Sequence, residues 1–97
     1  MARYVILLNL TAKGLADLKG APARVDAGIK AVEAAGGKML SFSATMGPYD
    51  YVAVCEAPSD EAATVQSMAL AAQGYVTTQT MRAFSTEEFA GLVSRLP

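Results

Sequence analysis

Apolar and polar positions alternate along some stretches of this chain and recur every three to four residues along others. These two periods separate strands from helices. Arg3 to Leu10 is apolar on both alternating sets, with Tyr4, Ile6, Leu8 and Leu10 on one and Val5, Leu7 and Asn9 on the other. Such a run reads as a central strand buried on two faces. Thr11 follows it in position to cap a helix. From Ala12 to Ala35 the period turns helical, interrupted at Gly20-Ala21-Pro22. Proline is tolerated in the first turn of a helix but not inside one. The segment therefore reads as a short turn of helix near Leu15 and Leu18, then a longer helix from about Pro22. In that helix Val25, Ile29 and Val32 share a face, and Gly36-Gly37 closes it.

Lys38 to Ala44 alternates again, with Leu40 and Phe42 on one side and Met39, Ser41 and Ser43 on the other. Met46-Gly47-Pro48-Tyr49-Asp50 is turn chemistry, and Tyr51 to Glu56 completes a hairpin. Ala57-Pro58-Ser59 breaks the strand. Asp60 and Glu61 then place negative charge in the first turn of a helix, where the macrodipole favours it. That helix runs to about Gln73, with Ala62, Val65, Ala69 and Ala72 as its apolar stripe. Gly74 ends it, and Val76 to Phe84 forms a fourth strand. The final helix begins at Ser85, with Glu88 completing a capping box and Phe84 and Phe89 at the hydrophobic-staple positions. Phe89, Leu92, Val93 and Leu96 are expected to face inward.

The order β-α-β-β-α-β-α is the ferredoxin-like α+β arrangement, βαββαβ with a C-terminal helix on a four-stranded antiparallel sheet. Ninety-seven residues, 53% hydrophobic and 18% charged, make one globular domain spanning 1–97. In this topology both crossover helices cover one face of the sheet. The other face, roughly 500 Å² for four strands of this length, is largely apolar whichever set it carries. Two copies packed sheet to sheet would bury it within a standard interface of about 800 Å² per partner. The expected partner is therefore a second copy of the chain.

Charge and chemistry narrow the picture further. Eight Lys and Arg against nine Asp and Glu give a net charge of −1. The basic residues are scattered, so the concentrated cationic surface that nucleic acid requires is missing. Val5-Ile6-Leu7-Leu8 is much shorter than a membrane span of about 20 residues. With no secretory cleavage pattern beside it, the expected location is cytoplasmic. There is no histidine. Haem ligation of the usual kind, a Cys-His pair and a Ser-His-Asp triad are therefore excluded. Glu33, Asp60, Glu61, Glu87 and Glu88 read as solvated helix positions, so no metal site is expected. No glycine fingerprint for phosphate is present, and no cofactor is expected. Cys55, alone within an apolar strand, reads as a small buried hydrophobe.

The hairpin is where the chain resembles a known family. Thr11-x-x-Gly14, Gly36-Gly37, Met46-Gly47-Pro48-Tyr49-Asp50, Glu56-Ala57-Pro58 and Arg82-Ala83-Phe84 together resemble the GYD domain family, whose name-giving residues fall at Gly47, Tyr49 and Asp50. The resemblance implies a dimeric α/β-barrel fold and no particular chemistry. Related barrels include cofactor-free monooxygenases, isomerases, haem-degrading enzymes and amino-acid-sensing domains, an analogy at the level of fold.

Candidate site residues follow from the fold and the motif. Asp50 is either a clasp for backbone N–H groups or a polar anchor at the mouth of the barrel. Tyr49 and Tyr51 are hairpin aromatics or proton donors. Asn9, in an apolar strand, needs hydrogen-bond partners, which a ligand, water or the backbone would supply. Arg82 and Arg24 either clamp an anion or form salt bridges. The ligand-binding set is thus Asn9, Tyr49, Asp50 and Arg82. The function read from sequence is a homo-oligomeric barrel protein holding a small organic molecule between its sheets without catalysis. A cofactor-independent isomerase or monooxygenase, and a purely structural assembly with a filled barrel, are the alternatives.

Overall fold

Strand β1 (Ala2–Leu10) organises the sheet in the computed structural model, which describes residues 1–97. It pairs antiparallel with β3 (Tyr51–Ala57) on one side and with β4 (Val76–Ala83) on the other. β2 (Lys38–Ala44) adds to the outer edge of β3, giving the order β2-β3-β1-β4. The longest apolar strand is thus one of the two flanked on both sides. The register is continuous along β1, with Leu8 opposite Tyr51 and Thr78, and Tyr4 opposite Cys55 and Arg82. Together with the helices below, this is the ferredoxin-like α+β fold with a C-terminal helix.

The first crossover consists of α1 (Ala12–Ala16), a 3₁₀ turn over Leu18–Gly20, and α2 (Ala21–Ala34). Pro22 stands in the first turn of α2, so the predicted interruption is where a new helix starts. Thr11 caps α1, its Oγ1 accepting from the Gly14 N–H at 3.2 Å, and donates to the Gly74 carbonyl at 2.5 Å. Gly14 is needed there because a Cβ would run into the Tyr75 carbonyl. The Thr-x-x-Gly segment therefore fastens the end of β1 to the start of β4. The second crossover is α3 (Asp60–Ala72), capped by Ser59, whose Oγ accepts from the Ala62 N–H at 3.1 Å.

Both crossovers lie on the face that carries Tyr4, Leu8, Ala53, Cys55 and Val76, which are all buried. Cys55 is a buried free thiol, as its setting in the sequence suggests. The expectation that β1 is buried on two faces holds only in part: Tyr4 and Leu8 are buried, while Ile6 and Leu10 of the same set are half-buried. Val5 and Leu7, on the opposite set, are half-exposed. No helix is long and apolar enough to cross a membrane.

Three packing expectations are overturned. In β2, pairing slips between Met39 and Ser41, so Met39 faces Cys55 and Phe42 faces Ala53 across the ladder. This bulge puts Met39 and Phe42 on the helix side together and displaces Leu40 from the set predicted for it. One inserted residue reverses the period-two reading, as bulges do. In α3 the face toward the sheet is Ala62, Ala63, Gln66, Ser67 and Leu70, while Val65 is 60% exposed. So many positions of this helix are alanine that apolarity does not mark which side is inside. Finally, α4 (Thr86–Val93) does not dock. Phe89 is 61% exposed and Leu96 71%, with Leu92 and Val93 also in solvent.

The undocked helix and the uncovered face leave an excess of surface. The chain exposes 6303 Å², whereas a compact chain of 10.1 kDa is expected to expose about 5,300 Å². The excess of about 1,000 Å² is comparable with what one partner contributes to a standard interface.

What α4 does have is its cap. Ser85 Oγ accepts from the Glu88 N–H at 3.0 Å, and Glu88 Oε1 accepts from the Ser85 N–H at 2.9 Å. That backbone hydrogen bond holds the Glu88 carboxyl below the ordinary glutamate range, with the Ser85 hydroxyl contact and Arg82 acting the same way. A lowered carboxyl pKa favours the folded state above the unfolded value of about 4.3 and loses that contribution as pH falls through the folded value. Circular dichroism should therefore show helix content falling below about pH 4 in the wild type, with Glu88→Gln flattening that part of the profile. Phe89→Ala in dilute protein should change stability by less than about 0.5 kcal/mol. A loss of about 3–5 kcal/mol, the value for a core phenylalanine, would contradict an undocked α4.

Candidate functional site

Two places gather chemistry, and they lie on different parts of the molecule. The first is the β2–β3 hairpin. Gly47 adopts φ +101°, a left-handed conformation that glycine reaches without strain. The turn it makes returns the chain so that the Thr45 N–H donates to the Asp50 carbonyl at 2.9 Å and the Thr45 hydroxyl to the Tyr49 carbonyl at 2.6 Å. Asp50 then reaches β1. Its Oδ2 accepts from the Leu10 N–H at 2.8 Å, and its own N–H donates to the Leu8 carbonyl at 3.0 Å and to Asn9 Oδ1 at 3.1 Å. Tyr49 extends further, its hydroxyl donating to Gln79 Oε1 on β4 at 3.2 Å.

The Gly-x-Tyr-Asp segment is therefore a strap running from the hairpin over β1 to β4. It satisfies backbone groups at the end of β1 where the ladder to β3 stops. Asp50 plays the clasp role open to it in the sequence, with its carboxylate on the neighbouring strand rather than within its own turn. Asn9 finds its partner in the Asp50 backbone.

Arg82 is elsewhere. It lies opposite Tyr4, whereas Asn9 lies opposite Thr77. Five residues of strand, about 17 Å, separate the two ends. Its guanidinium donates to the carbonyls of Arg3 and Ala83, stacks 4.6 Å from the centre of the Phe84 ring and lies 3.9 Å from the Glu88 carboxylate. The structure thus brings Asn9, Tyr49 and Asp50 together and leaves Arg82 at the other end of the sheet. There Tyr4 donates to the Asp60 carboxylate, which holds its hydroxyl above the ordinary tyrosine range; burial adds to the shift.

The second place is a cavity of about 240 Å³ between the sheet and the two long helices. Tyr4, Ile6, Leu8, Ala53 and Cys55 form its floor, α2 one wall and α3 the other. None of Asn9, Tyr49, Asp50 and Arg82 lines it. The space has a volumetric cause. Helices normally fill the layer above a sheet with large side chains. Here α2 presents Ala27, Gly28 and Ala31, with Ala35 as its C-cap, α3 presents Ala62, Ala63 and Ala69, and β3 presents Ala53, Cys55 and Ala57. Val25, Ile29, Val32, Leu70, Met39 and Phe42 enclose it, with Phe42 packed at a tilt against Tyr51, ring centres 5.2 Å apart.

Arg24 borders this cavity and is held by Asp17 (3.0 Å) and by the carbonyls of Asp17 (3.0 Å) and Gly14 (3.4 Å), with its guanidinium 4.2 Å from the Tyr75 ring centre. The salt-bridge reading of Arg24 describes what it does. Lys13 lies over the same ring at 4.3 Å. Burial pushes the Cys55 thiol up, so it stays protonated near neutral pH. No three Asp, Glu or Cys side chains come together to hold a metal ion. Sequence reasoning missed the cavity because its mark is a shortage of volume. The signal was present as the alanine and glycine content of two helices and one strand meeting in one layer.

Two measurements check these assignments. Asp50→Asn keeps an acceptor but loses the charge, and in urea melts it should cost about 1 kcal/mol. An unchanged midpoint would mean that the strap is not formed. Iodoacetamide at pH 8 should label Cys55 in the folded protein at least tenfold more slowly than in urea, a difference of about 1.4 kcal/mol. Equal rates would mean that the thiol is accessible.

The geometry makes sense of the comparisons with known proteins. No curated protein and no solved structure matches the chain. The sequence profile described as GYD domain matches residues 4–93. That span takes in the Thr-x-x-Gly fastening, the hairpin strap and α4, and the chain is a member of the GYD domain family.

Proposed function

We propose that this protein is a self-associating binding protein that holds a small organic molecule and does not transform it. The observation carrying this reading is the cavity between helices and sheet, about 240 Å³ in volume, within an otherwise small fold. Apolar cavities of about 150 Å³ stay dry and take up benzene, so this volume suits about ten non-hydrogen atoms. A concave, mostly apolar site with a few polar groups is the usual form of a small-molecule site. This reading puts the ligand on the helix side of one sheet, whereas the sequence reading put it between two sheets.

Absence of turnover is supported by the lining. No histidine exists, the one thiol is held protonated, and Arg24 is engaged with Asp17. Glu56 borders the space but belongs to the alternating set of β3 that points away from the helices. Apart from the tyrosine hydroxyls of the lining, no free acid or base points into the space, and general acid–base chemistry needs one within hydrogen-bond reach of the substrate.

Self-association rests on the half-exposed Val5, Leu7, Val52 and Val54 of the uncovered face and on the bare apolar side of α4. A second copy is the occupant that matches this surface in area and chemistry.

Native mass spectrometry of protein purified without denaturation tests the binding reading. The expected result is a retained species of about 150 Da, the mass of roughly ten non-hydrogen atoms, lost when the protein is denatured and refolded. Recovery of only the bare chain, together with no uptake from a panel of small aromatic and aliphatic compounds, would overturn it.

A further inference from the structure

Gly28 lies in the middle of α2, the helix Ala21–Ala34. Glycine in a helix interior is unfavourable by about 1 kcal/mol relative to alanine. The residue is half-buried and borders the cavity, yet a Cβ built there meets nothing within 4 Å. Gly14 and Gly37 differ, because a Cβ at either would collide with backbone. Neither backbone conformation nor close packing asks for glycine at position 28. What its missing side chain does is leave the wall between α2 and α3 open.

The groups facing this space carry no free charge. Arg24 is paired with Asp17 and two carbonyls. Glu56 borders the space from the set of β3 that points away from the helices, and the other polar side chains are neutral, among them Gln66, Gln73 and Thr78. Gln66 and Gln73 make no side-chain hydrogen bond within the chain, so their amides have donors and acceptors to offer. An ionised ligand group would be desolvated here without a counter-charge, which is strongly unfavourable. A hydroxyl or carbonyl group would be met by an amide.

Resting on the binding reading above, we infer that the cavity takes an uncharged, largely apolar molecule with one hydrogen-bonding group, admitted past Gly28 between α2 and α3. Gly28 is thus a specificity-determining position acting through the space it leaves. Two neighbouring changes have opposite consequences. Alanine at 28 strengthens the helix and leaves most of the opening. Leucine strengthens it too, but occupies the space that the ligand needs.

The test uses the full-length chain and two probes of one shape, neutral 2-naphthol and anionic 2-naphthoate, titrated by calorimetry at pH 7 and followed by amide NMR shifts. The wild type should bind 2-naphthol with shifts at Gly28, Ala53 and Cys55, and bind 2-naphthoate at least tenfold more weakly. Gly28→Ala should melt higher and still bind 2-naphthol. Gly28→Leu should melt higher and lose binding at least tenfold. Equal or tighter binding of 2-naphthoate at those same residues would overturn the uncharged class while leaving the binding reading intact. Binding of 2-naphthol that both Gly28 variants preserve would overturn the role of Gly28. If neither probe binds, and intermolecular NOEs instead place Phe89 or Leu92 of a second copy in the cleft, the occupant is the partner's α4. In that case both this inference and the binding reading fall.

Discussion

A four-stranded sheet has two faces, and both crossovers of a βαββαβ chain pack on the same one. Everything else in this molecule answers to that asymmetry. β1 is apolar on both alternating sets, yet only Tyr4 and Leu8 of that strand are buried by the chain itself. Val5 and Leu7 remain half-exposed next to Val52 and Val54. The apolar side of α4 is bare as well. The burial that small domains need for stability is thus incomplete in one copy.

The covered face has the opposite character. Its helices bring mostly alanine and glycine to a strand carrying Ala53, Cys55 and Ala57, so the layer is bordered by Ile29, Val32, Phe42 and Leu70, hollow in the middle and open between α2 and α3. A cavity of this kind weakens packing, since each missing contact forfeits dispersion energy. On the proposed function the void is kept for a ligand, and the stability lost to it would be recovered in assembly through the other face. That proposal assigns the two functions to opposite sides of one sheet.

The sequence showed the order of elements, the helix restart at Pro22, the hairpin and the capping box of α4, because each rests on local rules with residues of fixed type and spacing. It also showed the Gly47-x-Tyr49-Asp50 strap as a motif, though not that its bonds cross to β1 and β4, since pairing between distant strands is not encoded locally. Three things were hidden for definite reasons. The bulge at Met39–Ser41 breaks a strict alternation without leaving a glycine to mark it. The alanine content of α3 removes the contrast that would orient it. The inward side of α4 is apolar by pattern, but pattern cannot say whether its cover lies in the same chain.

That a second copy supplies this cover is the central claim, and sedimentation equilibrium tests it most directly. Measured across nanomolar to high micromolar concentrations, the wild type should approach at least twice the 10.1 kDa chain mass. Leu7→Asp on the uncovered face should shift the same series toward the single-chain mass while retaining the far-ultraviolet spectrum of the fold. A wild-type chain that stays monomeric at 10.1 kDa and well folded at the highest concentration would contradict the claim.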